Sequence, residues 1–337
     1  MGLSEMIYEQ YAAGQGQPRP HMGCSMLGHP CERWLWLSYR WAVIERFDGR
    51  FLRLFQRGQR EEAVVIADLE SIGVEFMRSK DGQFRVDFGG GPVSGSVDAV
   101  ISGGLPGRED EKFIVEIKTH NRKSFDALAK IGVKKAKFQH WVQMQLYMLG
   151  SDIHNALYVA VCKDSDDIYT EIIDFDEEKA VYYFNRGTRI ALDANMPPPL
   201  SSDPSWYECK WCAAHDFCHT SRQTAQVNCR TCGHASPGQE GFYCGHHGGG
   251  AIPLDFQRTG CESHILHRDL VPWPLLQVAE SGEATWLIEG KEVRNGPPCA
   301  FCYSSGEILA NPAMCAAGSD DVTLAALRET FDARIAL

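Results

Sequence analysis

No stretch of these 337 residues runs apolar for the roughly 18–20 positions that a membrane-spanning helix needs, so no bilayer span is expected. The opening residues, MGLSEMIYEQYAAGQGQPRP, show neither a basic head with an apolar stretch nor an arginine-rich amphipathic pattern. They read as cytoplasmic. A G-x-x-x-x-G-K-[ST] phosphate loop is missing, which excludes a nucleotide-driven motor of that type. Positive charge is also scarce: 33 Lys and Arg against 44 Asp and Glu leave a net −11, arguing against indiscriminate phosphate binding. One stretch reverses the sign. From 118 to 137 there are seven Lys or Arg and a single acid, Asp126.

Cysteine, by contrast, is plentiful. Thirteen are present, ten of them after residue 208. In a long chain without an export signal, such a cluster points to metal ligation rather than disulfides. There is no internal repeat, although Cys-x-x-Cys recurs at 209, 229 and 299. The length suits a large domain over 1–222 and a smaller Cys/His-rich one over 223–337, joined after a PPPLSSDPS linker at 197–205.

Apolar spacing predicts helices over 31–45, 51–72, 123–131, 136–150 and 176–194, with a last amphipathic helix in VTLAALRETFDARI. Alternation predicts strands over 74–78, 83–88 and 93–101, with turns at Asp81-Gly82 and Gly89-Gly90-Gly91. FIVEIKTH, ALYVAVCK and DIYTEIIDF read as further strands, the last two as antiparallel neighbours.

SGSVDAVI is followed seventeen residues later by VEIK. If these strands are adjacent, Asp98 and Glu116 can share a cleft, with Lys118 on the face of Glu116 because strand side chains alternate. Two converging carboxylates repel unless a cation separates them, and hard Mg²⁺ or Mn²⁺ favours oxygen ligands. A lysine beside them can orient water or neutralise phosphate. On helix 51–72, Gln59 and Glu62 interrupt the stripe Leu52, Phe55, Ile66, Leu69, which is costly without partners. Glu62 is the candidate third carboxylate, with Glu61 its competitor. In FQHWVQMQLYMLG, Gln143 and Tyr147 fall on one helical face.

The order Glu62, Asp98, Glu116-Ile117-Lys118, Gln143-x-x-x-Tyr147 resembles the PD-(D/E)XK nuclease superfamily, in its RecB-like branch. The resemblance implies an α/β fold, restriction-endonuclease-like, with a mixed central sheet flanked by helices. It also implies Mg²⁺ or Mn²⁺ held by Asp98, Glu116 and the Ile117 carbonyl, with Lys118 assisting the water and Gln143 and Tyr147 supporting the site. Gln59 departs from the pattern, since many relatives carry a metal-binding histidine on this helix.

The AddB-type nuclease domains and CRISPR-associated RecB-like exonucleases of this branch place one cysteine before the nuclease motifs and three after. Here HPCERWLW and YECKWCAAHDFCH supply Cys31, Cys209, Cys212 and Cys218, implying a [4Fe–4S] cluster that staples a helical region. Cys24 is a rival for Cys31, and zinc with His215 or His219 a rival for the cluster. In the tail, Cys229, Cys232, Cys244 and Cys261 have the makings of a structural zinc site, with His264 as first substitute and His234, His246 and His267 as competitors. Cys299, Cys302 and Cys315 form a weaker trio, the first two read as reduced surface thiols. Phage recombination nucleases of this kind often carry such a tail, which implies a bacterial host cytoplasm.

The expectation is a metal-dependent DNA exonuclease acting on single strands or ends, in recombination, replication or DNA processing. Arg122, Lys123, Lys130, Lys134, Lys135 and Lys137 would guide the strand. A recombinase, helicase or single-strand-binding protein is the expected partner, and no membrane. The alternative is a non-catalytic nucleic-acid-binding recombination partner with structural metal sites.

Overall fold

A computed structural model describes residues 2–78 and 84–335; the expected Asp81-Gly82 turn lies outside the described residues. The chain is mixed α/β and divides into two compact units. One comprises residues 1–30 and 45–189, the other 31–44 and 190–337.

Through residue 192 the elements run α1 (Leu3–Ala13), β1 (Met22–Gly23), α2 (Glu32–Tyr39), α3 (Gly49–Ser71), β2 (Glu75–Phe76), β3 (Phe84–Asp87), β4 (Val93–Val97), β5 (Ala99–Gly103) and β6 (Phe113–His120). They continue with α4 (Arg122–Ile131), α5 (Val133–Ala136), α6 (Phe138–Ser151), β7 (Asn155–Cys162), β8 (Ile168–Asp174) and α7 (Glu177–Leu192). The first unit holds a five-stranded sheet in the order β2-β5-β6-β7-β8, in which β6 and β7 are parallel and the other pairs antiparallel. DIYTEIIDF does lie antiparallel beside ALYVAVCK, as the sequence predicts. A second, three-stranded sheet has the order β1-β4-β3.

One face of the large sheet is apolar. Ala99, Ile101, Val115, Ile117, Leu157, Val159 and Val161 pack there against Val65 of α3, joined by Ile66 and Leu69. By strand alternation, Glu116, Lys118 and His120 belong to the other face, where α4 and α6 lie against β6 and β7. α3 starts at Asp48, whose side chain accepts the Phe51 amide, and α4 at Asn121, which accepts the Ser124 amide. The expected apolar stripe of α3 is corrected in its first half: among its residues only Gly49 and Val65 are buried. Phe55 is 46% exposed, so this end of the helix does not enter the core.

Helix α1 was not expected from the sequence. It crosses α3 at Gly49, where a Cβ would stand 1.7 Å from the Tyr8 carbonyl oxygen, so only glycine allows that approach.

The second unit begins with α2, which ends at Tyr39 and not at 45 as expected. Trp41 adopts a left-handed φ of 52°, which a helix cannot continue through. The later elements are α8 (Tyr207–Lys210), β9 (Ala235–Gly238), β10 (Gly241–Cys244), β11 (Gly250–Ala251), α9 (Leu254–Thr259), β12 (Leu275–Val278), β13 (Ala284–Ile288), β14 (Lys291–Asn295), β15 (Cys302–Tyr303), α10 (Ser305–Ala310), α11 (Pro312–Gly318) and α12 (Val322–Phe331).

β9–β11 form a three-stranded sheet, and β12-β13-β14-β15 a four-stranded one. The tail is therefore more regular than its Gly/Cys/His texture suggests, with Trp286, Val293, Tyr303 and Ile308 fully buried. α2 is locked to the tail through Arg230. Its guanidinium lies 3.8 Å from the Trp41 ring centre and donates to the Tyr39 carbonyl and the Gln257 side chain.

Candidate active site and cysteine centres

Asp98 occupies the single residue between β4 and β5, where the chain leaves the small sheet and enters the large one. Its Oδ2 accepts the Ile117 amide at 2.9 Å, fixing the carboxylate across the strand pair. Lys118 Nζ lies 3.8 Å from the same Oδ2, contacts Glu116 Oε1, and donates to the Ile117 carbonyl at 3.1 Å. An acid from the β4–β5 junction and one from β6 thus meet at one ammonium.

Glu116 is fully buried; its Oε1 meets the Lys118 ammonium, while its Oε2 has no hydrogen-bond partner. Burial pushes its pKa up to about 7; Lys118 opposes the rise, while Asp98 and Glu62 add to it. Burial works against the charge on Lys118, but Glu116, Asp98 and Glu62 outweigh it and hold its pKa above the ordinary value. Half-buried Glu62 has its pKa raised by burial and by Asp98, against the pull of Lys118.

A buried carboxylate with one orphaned oxygen suits a hard cation. Among the described residues, however, no three His, Cys, Asp or Glu side chains are arranged to hold a metal ion as they stand.

Gln143 donates to the Tyr147 hydroxyl at 2.8 Å, and both are buried. Gly95 makes room for that ring, since a Cβ there would stand 2.6 Å from Tyr147 Cε1 and 3.1 Å from Cys24 Sγ. This gives the glycine of Gly95-x-x-Asp98 a steric reason. Burial, with Glu116 and Cys24, raises the Tyr147 pKa well above its usual range.

Four residues of this face escaped the sequence reading. His120 Nε2 and His140 Nδ1 hydrogen-bond the Tyr158 hydroxyl at 3.0 and 2.8 Å. Ser124 bridges His120 Nδ1, at 3.2 Å, to Lys137, at 2.5 Å. Burial lowers His120 to about 4 and His140 to about 3, assisted by Lys118 and Lys137, so both rings stay neutral. The signal was present: His120 is two positions from Lys118 on one strand face, and His140 three from Gln143 on one helix.

The basic stretch is less available than its composition suggests. Arg122 is held by Asp126 and Asp167 at 2.9 and 3.0 Å. Lys134 lies 3.6 Å from Asp176 and over the Trp141 ring, and Lys137 is half-buried. Lys123, Lys130 and Lys135 are exposed.

In the second unit, Cys31, Cys209, Cys212 and Cys218 line one small cavity of about 20 Å³, together with His215 and His219. The Cys31 thiolate adds to the burial that raises the pKa values of the other three, and Arg33 counters it at Cys218. Cys24, the rival ligand, is buried beside Tyr147 and Gly95 in the first unit. Cys229, Cys232, Cys244 and Cys261 line a cavity of about 350 Å³ with His234, His246 and His247.

His264 also borders this cavity, but it is a poor substitute ligand. Its Nδ1 bonds Ser305 Oγ at 2.8 Å and its Nε2 the Asn228 carbonyl at 3.1 Å, so both ring nitrogens are engaged. Cys302 is buried, contrary to the surface-thiol expectation, while Cys299 is exposed.

The chain matches no family model and no curated protein. Among solved structures it aligns with the crystal structure of SSO0001 at 15% identity, covering 65% of this chain and 96% of that one, with a TM-score of 0.38. An alkaline exonuclease, LHK-Exo, from Laribacter hongkongensis aligns at 16% identity over 54% of this chain and 90% of its own, TM-score 0.36. The same exonuclease in complex with dAMP gives 15%, 54%, 90% and 0.38. At TM-scores this low, the chemistry has to be judged from the chain's own residues. Among the described residues no helix is long and apolar enough to cross a membrane.

Proposed function

We propose that this chain is a divalent-metal-dependent deoxyribonuclease that shortens single strands or DNA ends. The observation carrying the reading is the meeting of Asp98, at the β4–β5 junction, and Glu116, on β6, at the Lys118 ammonium, with the other Glu116 oxygen buried and unpartnered. Asp98, Glu116 and the Ile117 carbonyl would hold Mg²⁺ or Mn²⁺, which when bound supplies an acidified water and charge neutralisation at the phosphate.

The chain's own contribution is positional. Ile117 holds Asp98 by its amide, and the Gln143–Tyr147 pair backs the cleft. Lys118, kept charged, can donate to a phosphate oxygen in the transition state. Exposed Lys123, Lys130 and Lys135 would attract the backbone locally in an otherwise acidic chain.

In the same reading, Cys31, Cys209, Cys212 and Cys218 hold a [4Fe–4S] cluster, beside which Arg33 would offset negative charge. Cys229, Cys232, Cys244 and Cys261 hold zinc. The cellular setting is phage-type recombination or replication, with a helicase, recombinase or single-strand-binding protein supplying unwound substrate.

The test is a labelled single strand incubated with Mn²⁺ or with EDTA, on protein purified anaerobically and analysed for iron and zinc. Shortening with Mn²⁺ alone, from a brown preparation containing both metals, is expected. Retention of the strand without shortening selects a binding protein instead, and a colourless zinc-only preparation removes the cluster.

A further inference from the structure

The half of the α3 stripe that stays out of the core opens onto a groove between α1 and α3, with a volume of about 750 Å³. We propose that this groove is a binding site for single-stranded nucleic acid, which stacks a base on Phe55 and feeds the strand along α3 toward the acidic centre. The inference rests on the nuclease reading for its direction, though not for the binding itself.

The chemistry of the wall selects the occupant. Its side chains are amides, two rings, Leu52 and one guanidinium, Arg19, with no acid among them. Phe55 is 46% exposed and is braced by an edge contact with Phe47, ring centres 5.0 Å apart. A supported, open ring is what a base stacks on, and stacking tolerates any base. The Tyr11 hydroxyl and Arg60 both donate to Gln56 Oε1, at 2.6 and 2.9 Å. With the oxygen taken, Gln56 offers its amide nitrogen as a donor. Gln59, exposed one turn further, adds a second amide.

Charge points the same way. Residues 49–60 contain Arg50, Arg53, Arg57 and Arg60 and no acid, in a chain of net −11. A polyanion suits that stretch, whereas an acid-free, amide-rich wall gives a basic peptide nothing to pair with.

The direction follows from helix geometry. Leu52, Phe55, Gln59 and Glu62 recur every three or four residues and so share one face. The groove therefore ends one turn from Glu62, which already feels Asp98 and Lys118. On the neighbouring face of α3, a Cβ on Gly58 would stand 3.9 Å from Thr119 Oγ1, so this part of the helix runs beside the end of β6.

The experiment is fluorescence anisotropy of labelled oligothymidylate in EDTA with the full chain, where no cleavage contributes. Phe55→Ala and Gln59→Ala should each raise Kd about tenfold, the size of one lost stacking or amide contact. A bromouracil-substituted strand should photocrosslink within 8–19 or 50–60. Both variants binding within about twofold of the parent, with crosslinks elsewhere, overturn the groove; a groove built for a polypeptide would show itself in that way. A parent chain that binds no strand overturns both readings. If the strand binds through the groove while Mn²⁺ gives no shortening, the catalytic reading falls and the groove stands.

Discussion

Replacing Lys118 with alanine should slow Mn²⁺-dependent strand cleavage by about a thousandfold, the loss typical of one preorganised charge at a reacting oxyanion. The effect should fall on kcat, because the oxygens proposed to hold the metal remain. Lys118→Ala takes away the ammonium between Asp98 and Glu116, leaving the acids with greater need of a cation. Metal affinity should thus hold or rise while turnover collapses, a split that unfolding cannot imitate. Asp98→Asn should instead weaken metal binding.

The pH profile has a definite sign. Glu116 sits near 7 through burial, so below that value it carries a proton that the metal must displace. Apparent Mn²⁺ affinity should therefore fall as pH drops below about 7, by up to roughly tenfold per unit. Without Lys118, which lowers Glu116, the profile should move to higher pH. Isothermal titration at several pH values, beside kcat, checks both statements. Lys118→Ala cleaving at the parental rate would remove the lysine from the chemistry.

The second large effect concerns stability. Arg328→Ala should cost the second unit about 3–5 kcal/mol, the range for stranding one partner of a buried pair. Arg328 and Glu307 are each only 2% exposed at the side chain, with Nη1 2.6 Å from Oε1. Arg328 also donates to the Cys299 and Cys302 carbonyls, at 3.2 and 3.1 Å, and lies over the Tyr303 ring, so it ties α12 to β15 and α10.

Glu307 is committed as well. It accepts the Ser304 amide and hydroxyl in a capping box and the Ile335 amide. Burial alone would raise its pKa, but Arg328 and these amides hold it below the ordinary value. The stability this supplies is present above the unfolded-state pKa and is lost as pH falls through the lower folded one. The thermal transition of the unit should drop by about 10 °C in Arg328→Ala. A double variant, Glu307→Leu with Arg328→Met, should recover much of it, because the stranded charge is gone. A single variant that melts with the parent contradicts the assignment.

What could be read in advance followed how local the determining physics was. Asp98, Glu116 and Lys118 were legible because period-two alternation fixes a strand's faces without knowledge of its neighbours. Gln143 and Tyr147 were legible for the same reason on a helix. The spacing placed the histidines at 120 and 140 on the faces of Lys118 and Gln143, but not their pairing, since their common partner, Tyr158, comes from a different strand. Helix α2 was read too long because Trp41 takes a left-handed conformation that apolar spacing does not register. The α3 stripe was read as core because periodicity reports an apolar face and not what covers it. In the tail, buried Trp286, Tyr303 and the Arg328–Glu307 pair supply a core that glycine- and cysteine-rich composition masked. His264 looked like a spare ligand until Ser305 and Asn228 were found at its two nitrogens.

The short run 31–44 belongs with the distant second half of the chain, inserted between two pieces of the first. Neither body is one continuous length of sequence. Cutting the gene anywhere between them severs at least one of the two, so separating them for study calls for rejoined termini or co-expressed fragments rather than truncation. A ribosome also finishes the first body while the earliest piece of the second still waits, for about 150 residues, for the partner it will fold against.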